Sequence, residues 1–430
     1  MSRRHLLLLL PFLLLFALPA PAQRKKDNPD TVIDGDTELL EKLGLSYGPF
    51  PFMHSTNEQV ALDLFIDGEV LWLQTPHFRI GSMLKKWKIP VPDRKLYRAE
   101  LALMAEDYPD LDPKTSTLDP WLRLHLMAWR MENMYAEFLD HMGYTDEDFR
   151  RLPDEELLSQ AFEGEFTTVI NEFELARGGQ VRPEGFAQWV GMGQYLGQPH
   201  RFEIFVCEDE AVWQEFKLRY CGIKTAHPQR WNVKVETVDE GYTQSRSRAL
   251  SFGMSLKQAK VRHDQHLHNA LRHNLAINFL DGYMLYLFDM PAWIREGYAH
   301  YMRRLNVHGY NFFDGGEGAA LIENQEENWA PIVRKLVKKD EGADFARLSR
   351  INDYVDLQFE DHLVVWSKID FLIQTDKQKF GEFIRRIKVQ GTGAAIADVQ
   401  RDAFREIYGW TMRQADEAWK TWVLETYPVK

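Results

Sequence analysis

The chain predicts an α+β fold. Short stretches of alternating or β-branched apolar residues lie in its N-terminal and central parts, and stretches of helical apolar spacing interrupt them. The last third keeps the helical spacing almost throughout. At 430 residues the chain is too long for one small core and accommodates two or three subdomains. An apolar content of 45% and an aromatic content of 13% supply enough buriable area for a packed interior and exclude a disordered chain.

Taken in order, residues 1–22 read as a secretory signal peptide. Arg3 and Arg4 make a basic start, Leu6 to Ala20 is an apolar run broken at Pro11 and Pro19, and Ala20-Pro21-Ala22 offers a small-residue cleavage site before Gln23. The competing reading, a membrane anchor, suits the run poorly, because it is short for a hydrocarbon core of roughly 30 Å. Residues 23–65 are charged at first and poor in apolar periodicity, so a mobile leader is expected.

From 66 to 195 an N-terminal α+β region with a helical insertion is expected. Val70 to Leu73 and His77 to Ile80 read as short strands. Trp121 to Met142 reads as a helix ending near Gly143, and Tyr144 to Glu184 reads as helical pieces with loops. From 196 to 310 comes the core of the chain. Arg201 to Val206 alternates as a strand, Glu208 to Tyr220 follows as a helix closing at Gly222, and Trp231 to Val238 and Ser247 to Phe252 are further strands. Leu256 to Leu287 is mostly helical, Pro291 punctuates, and Trp293 to Leu305 is the next helix. Residues 311–430 form a helical C-terminal region, clearest at Leu363–Leu372, Phe380–Ile387 and Arg413–Leu424.

Removing Arg3 and Arg4 with the signal peptide leaves 52 − 2 = 50 basic residues against 64 acidic ones, a net charge near −14. That balance argues against nucleic acid or anionic membrane as partner. After Ala22 no segment is long and apolar enough to span a membrane, so the mature protein is expected to be secreted or periplasmic. Cys207 and Cys221 are the only cysteines; the spacing admits either a disulfide or two buried thiols.

Two short segments carry the chemistry. The first is His273-Asn274-Leu275-Ala276-Ile277. The second is Pro291-Ala292-Trp293-Ile294-Arg295-Glu296-Gly297-Tyr298-Ala299-His300-Tyr301, in which Glu296 follows position 277 by 296 − 277 = 19 residues. In an intact H-E-x-x-H motif two histidines one turn apart face the same way and bind zinc, with the adjacent glutamate as general base. Here Asn274 stands at the general-base position and Ile277 at the second histidine. An amide accepts no proton from a metal-bound water, and loss of a positioned base costs on the order of 10²–10⁴ in rate. Ile277 also leaves two protein ligands where a catalytic zinc has three.

With these residues in view, the chain resembles the gluzincin (peptidase MA-like) zinc metallopeptidase fold. It looks most like largely uncharacterised secreted bacterial families whose third-ligand segment reads P-x-W-x-x-E-G-x-A-x-Y. The likeness covers Phe202 to Trp422 in layout and is specific around 273–301. It implies His273 and Glu296 as metal ligands and no intact catalytic set. His300, one helical turn after Glu296, could complete a shifted three-ligand site of His273, Glu296 and His300. Otherwise it is a hydrogen-bonding residue beside the site. His263, His266 and His268 read as a solvated helix start.

Asn278 follows Asn274 at a spacing of four. The two amides are expected to give neutral polar contacts to His273 and Glu296. Trp293, Tyr298, Tyr301 and Tyr310 read as core and groove wall, and Glu323 to Glu327 as a solvated acidic face.

The expected function is a secreted pseudopeptidase that binds a peptide, a glycan or an envelope protein, with no cofactor required. The alternatives are an active zinc-dependent hydrolase with a rearranged site, for which zinc is the cofactor, and a purely structural module with a filled groove. Fold analogy does not choose among them.

Overall fold

A computed structural model describes residues 30–64, 70–149, 193–239, 242–257, 264–286, 289–306, 312–314, 319–321, 328–388 and 395–429. The signal peptide, most of the 144–184 stretch, His263, Tyr310, Glu323 to Glu327 and the Gly391–Gly393 loop lie outside the described residues.

The architecture is α+β: a small mixed sheet with helices on both faces and a helical C-terminal region. The sheet strands are β1 (Leu71–Gln74), β2 (Phe78–Met83), β3 (Phe202–Cys207), β4 (Gln229–Asp239) and β5 (Tyr242–Ser255), in the spatial order β1-β2-β3-β5-β4. β2 and β5 run parallel to β3, with Phe78 opposite Phe202 and Glu203 opposite Ser251. The two edge strands are antiparallel to their neighbours. All six residues of β3 are buried because both faces of the sheet are covered. Phe202, Ile204 and Val206 belong to the main core, whereas Phe205 and Cys207 join Trp213 and Phe216 in a second cluster, as a period of two requires.

The principal helices are α1 (Arg94–Met104), α2 (Pro120–Met142), α3 (Glu210–Cys221), α4 (Asp264–Gly282), α5 (Ala292–Arg304), α6 (Trp329–Lys338), α7 (Phe359–Thr375), α8 (Lys377–Lys388) and α9 (Met412–Thr426). α2 and α3 each end on a left-handed glycine, Gly143 and Gly222, the conformation glycine adopts at no steric cost. α4 is the central helix: every residue but His266 is buried, so it is not amphipathic. Its N-terminus is held by charge. The Asp264 carboxylate accepts from Arg130 Nη1 and the Tyr97 hydroxyl, each at 2.7 Å, and Arg130 also forks onto Glu100. Burial pushes the Asp264 carboxyl up, but Arg130 and Arg123 hold it below the ordinary value.

Three expectations change. Residues 30–64, expected to be mobile, fold onto the body. Asp30 receives His125 Nε2 at 2.6 Å and the Tyr47 hydroxyl at 2.7 Å, Met53 N–H donates to Glu203 Oε2 at 2.9 Å, and Ile33, Leu39, Phe50 and Phe52 are buried. These apolar residues are too irregularly spaced to register as a pattern, yet each finds a place in a core. Ala319–Leu321, expected to open a run of helices, pairs antiparallel with Phe312–Asp314. His268, placed on a solvated helix start, is buried because the Asp264 network draws that end of α4 inward. Of the two readings left open for the cysteines, free thiols hold: Cys207 and Cys221 are unbonded, and burial pushes the Cys221 thiol up to about 12.

One hydrophobic cluster runs from Leu71 on β1 to Tyr427 beyond α9, so the sheet and the C-terminal helices share a single core across the boundaries expected at 195 and 310. Lys368 ties α7 to α9. Its Nζ lies 2.5 Å from Asp416 Oδ1 and sits over the rings of Phe345 and Trp419.

At the start of β2, His77 joins the sheet to α2. Its Nδ1 is 2.6 Å from Glu132, its Nε2 is 3.0 Å from Asp146, and its ring stacks on Tyr135. Burial pulls the ring toward neutrality, but the two carboxylates prevail and raise its pKa to about 9. The folded state thus keeps a proton that the unfolded chain releases near pH 6.5, and the link is fully present below that pH. Stability should fall as pH rises from about 6.5 through 9, by at most about 3 kcal/mol. A His77→Gln variant should lack that decline in urea midpoints measured across the range.

Candidate metal centre

Two helices and their connection bring the motif residues together. α4 carries His273 and Asn274. Pro291 then starts α5, its carbonyl accepting from the N–H groups of Ile294 and Arg295, and its fixed φ suits a helix start. Arg272 Nε donates to the Met302 carbonyl at 2.7 Å, and Arg295 pairs with Asp281 at 3.1 Å, so α4 and α5 are fastened at both ends. In this frame His273 Nε2 lies 3.9 Å from Glu296 Oε1. His300, one turn beyond Glu296, places Nε2 at 3.5 Å from Oε2.

A third helix completes the cluster with a residue that the motif reasoning missed. His362, in the first turns of α7, has Nδ1 at 3.3 Å from Glu296 Oε2 and 3.0 Å from His300 Nε2. The donor atoms of Glu296, His300 and His362 all lie within 4.8 Å of one another. His362 reaches the site because α5 and α7 approach closely at Gly297. A Cβ there would meet Ile369 Cγ1 and the Val365 carbonyl oxygen, each at 2.7 Å. The glycine that follows Glu296 in the sequence thus has a packing role: it admits the helix that brings the third ligand.

The site is dry. Glu296 is 1% exposed, His273 and His300 are 0% exposed, and His362 is 6% exposed. Among the described residues, neither carboxylate oxygen of Glu296 and neither ring nitrogen of His273 has a hydrogen-bond partner. Burial, reinforced by Arg303 and Arg230, holds the His273 ring well below its ordinary pKa. Burial, with the neighbouring imidazoles and Arg303, does the same for His300. Both rings are therefore neutral, the form in which imidazole binds a metal. A buried carboxylate faced by imidazoles is a donor set that a divalent ion fits.

The expected site residues fall into two groups. His273, Glu296 and His300 meet as described. Asn274 makes no contact of the kind expected with His273 or Glu296: its Oδ1 accepts from Arg230 at 2.9 Å and its Nδ2 donates to the Ala270 carbonyl at 2.8 Å. Asn278 donates instead to the Ser251 carbonyl of β5 at 3.3 Å. Ile277 is fully buried in the main core.

The residues expected on a groove wall are interior. Trp293 donates to Gln400 at 2.6 Å and packs edge-on to Phe345, the Tyr298 hydroxyl lies 2.9 Å from His141 Nδ1, and Tyr301 is buried beside His141. Bulky aromatic rings on α5 have α2, α7 and α8 around them, and that environment leaves no open wall for them to line.

A scan against protein-family models finds no match, and searches of curated proteins and of solved structures find none either.

Gly297→Ala should wedge α5 from α7 and destabilise the protein by about 1–3 kcal/mol, the usual cost of overpacking a tight core. A lowered urea midpoint with unchanged slope is the expected reading; an unchanged midpoint would show that the helices absorb a methyl group without separating.

Proposed function

We propose that the chain is an exported, gluzincin-like protein that has given up peptide hydrolysis while keeping a metal-binding centre of altered composition. The observation that carries this reading is the buried Glu296 carboxylate, without hydrogen bonds among the described residues and faced by His273, His300 and His362. Imidazole and carboxylate donors with no thiolate suit zinc among the common divalent ions. Zinc there would neutralise the carboxylate and satisfy the imidazole nitrogens.

The loss of hydrolysis follows from the groups beside the centre. Asn274 occupies the base position as an amide tied to Arg230 and to its own helix, so it neither takes up a proton nor turns toward Glu296. Ile277 fills the place of the second motif histidine with a buried aliphatic side chain. With the centre dry and no base beside it, binding of a peptide, glycan or envelope protein elsewhere on the surface is the role left to such a scaffold. The active-hydrolase reading draws support only from the donor set itself.

Protein purified without chelator should contain one zinc per chain by elemental analysis. Glu296→Gln should lose it, and neither protein should cleave peptide or casein substrates with added zinc. Metal-free wild-type protein would remove the metal centre from this reading. Zinc-dependent cleavage abolished by Glu296→Gln would instead establish the hydrolase.

A further inference from the structure

We infer that His273 is the fourth ligand of this centre, and that the bound metal is a closed structural staple joining three helices, two of the motif region and one of the C-terminal region. The inference rests on the metal reading above and adds to it the coordination state and the role.

Distances set the case. In a tetrahedral zinc site with bonds of roughly 2.0–2.1 Å, donor atoms sit about 3.3 Å apart. The donor separations are 3.0 Å (His300 Nε2–His362 Nδ1), 3.3 Å (His362 Nδ1–Glu296 Oε2), 3.5 Å (His300 Nε2–Glu296 Oε2) and 3.9 Å (His273 Nε2 to the other oxygen, Glu296 Oε1). Three are close to a tetrahedral edge. The fourth is longer, and His273 lies outside the tight triad of Glu296, His300 and His362. It faces Glu296 Oε1, so ligation requires both carboxylate oxygens to face the metal and the His273 ring to move toward the triad.

Burial supplies the second, independent observation. The His273 side chain is fully buried and aimed at the carboxylate, and both its ring nitrogens lack a hydrogen-bond partner among the described residues. An imidazole left unsatisfied in a dry interior is costly, and ligation of Nε2 removes most of that cost.

Four protein ligands leave no open position for water or substrate, which distinguishes structural from catalytic zinc. Such a site agrees with a chain whose base position is an amide. The ligands also come from separate helices: His273 from α4, Glu296 and His300 from α5, and His362 from α7. A metal held by all of them fastens the C-terminal helices to the motif helices, and its binding energy becomes folding energy.

The test uses the full-length protein with cobalt(II) exchanged for the native metal. Wild type should show the intense visible bands of a four-coordinate ion, unchanged by azide, and chelator should lower its melting temperature. His273→Ala should still bind metal, but roughly tenfold or more weakly in chelator competition, since loss of even an outer-shell partner costs that much. Its cobalt spectrum should shift and respond to azide. A wild-type cobalt spectrum that responds to azide, or a His273→Ala spectrum identical to wild type, overturns the fourth-ligand assignment while leaving the metal centre in place. The azide experiment needs no variant, so a misfolded His273→Ala protein does not spare the inference. Failure of wild type to hold any metal overturns both.

Discussion

A carboxylate placed in a dry helical core has to be answered by positive charge or by hydrogen bonds, and most of this architecture can be read from how Glu296 is answered. Around it the fold supplies three imidazoles, and among the described residues no hydrogen bond reaches its oxygens. Arg303 and Arg230 are near enough to keep His273 neutral, which favours ligation over a proton-bridged ion pair. The geometry that produces this is a helix contact. α5 meets α7 through a residue without a side chain, and only that approach lets a histidine of the C-terminal region reach a carboxylate of the motif region.

The same contact explains why the sheet and the C-terminal helices share the main core. Once α7 seats on α5, Trp329, Val365 and Ile369 join the cluster that already holds α4 and the sheet, and Lys368 carries the connection on to Asp416 of α9. Lys368 is buried deeply enough that its pKa falls to about 8 despite its carboxylate partner, so that link is held as much by ring packing as by charge. The Asp264–Arg130–Glu100 network does the corresponding work at the other end of α4, where burial alone would have disfavoured the charges.

Much of this was legible in the sequence, and the parts that were not share a cause. The strands, the central helix and the α+β class follow from period and punctuation: Gly143 and Gly222 end their helices, and Pro291 starts α5. Glu296 and His300 could be paired from spacing alone, because one helical turn is a local relation. His362 could not. It lies 362 − 296 = 66 residues beyond Glu296 as a lone histidine at a helix start, and nothing local marks which helix it will meet. Gly297 carried the missing signal, since a glycine inside a helix asks for a neighbour that needs its space, but the neighbour's identity is a tertiary fact. Residues 30–64 were misread for the opposite reason. Their few apolar residues show no period, and they are ordered by contacts such as Asp30–His125 and Met53–Glu203 that join positions 95 and 150 residues apart.

On the proposed reading, the residues at 274 and 277 and the ligands at 300 and 362 belong together. With Ile277 in place of a second histidine, a metal held by His273 and Glu296 alone would have too few ligands to stay. His300 and His362 stand on the side of Glu296 toward α7, so an ion held by them is displaced along α5 from the motif helix toward the C-terminal helices. A closed four-ligand ion has no use for a base at residue 274, and the Asn274 amide is instead tied to Arg230 and to its own helix. An amide at 274 and imidazole ligands at 300 and 362 are thus mutually consistent. A centre that moved into the core would stop being a place where substrate and water meet and become part of what holds the protein together.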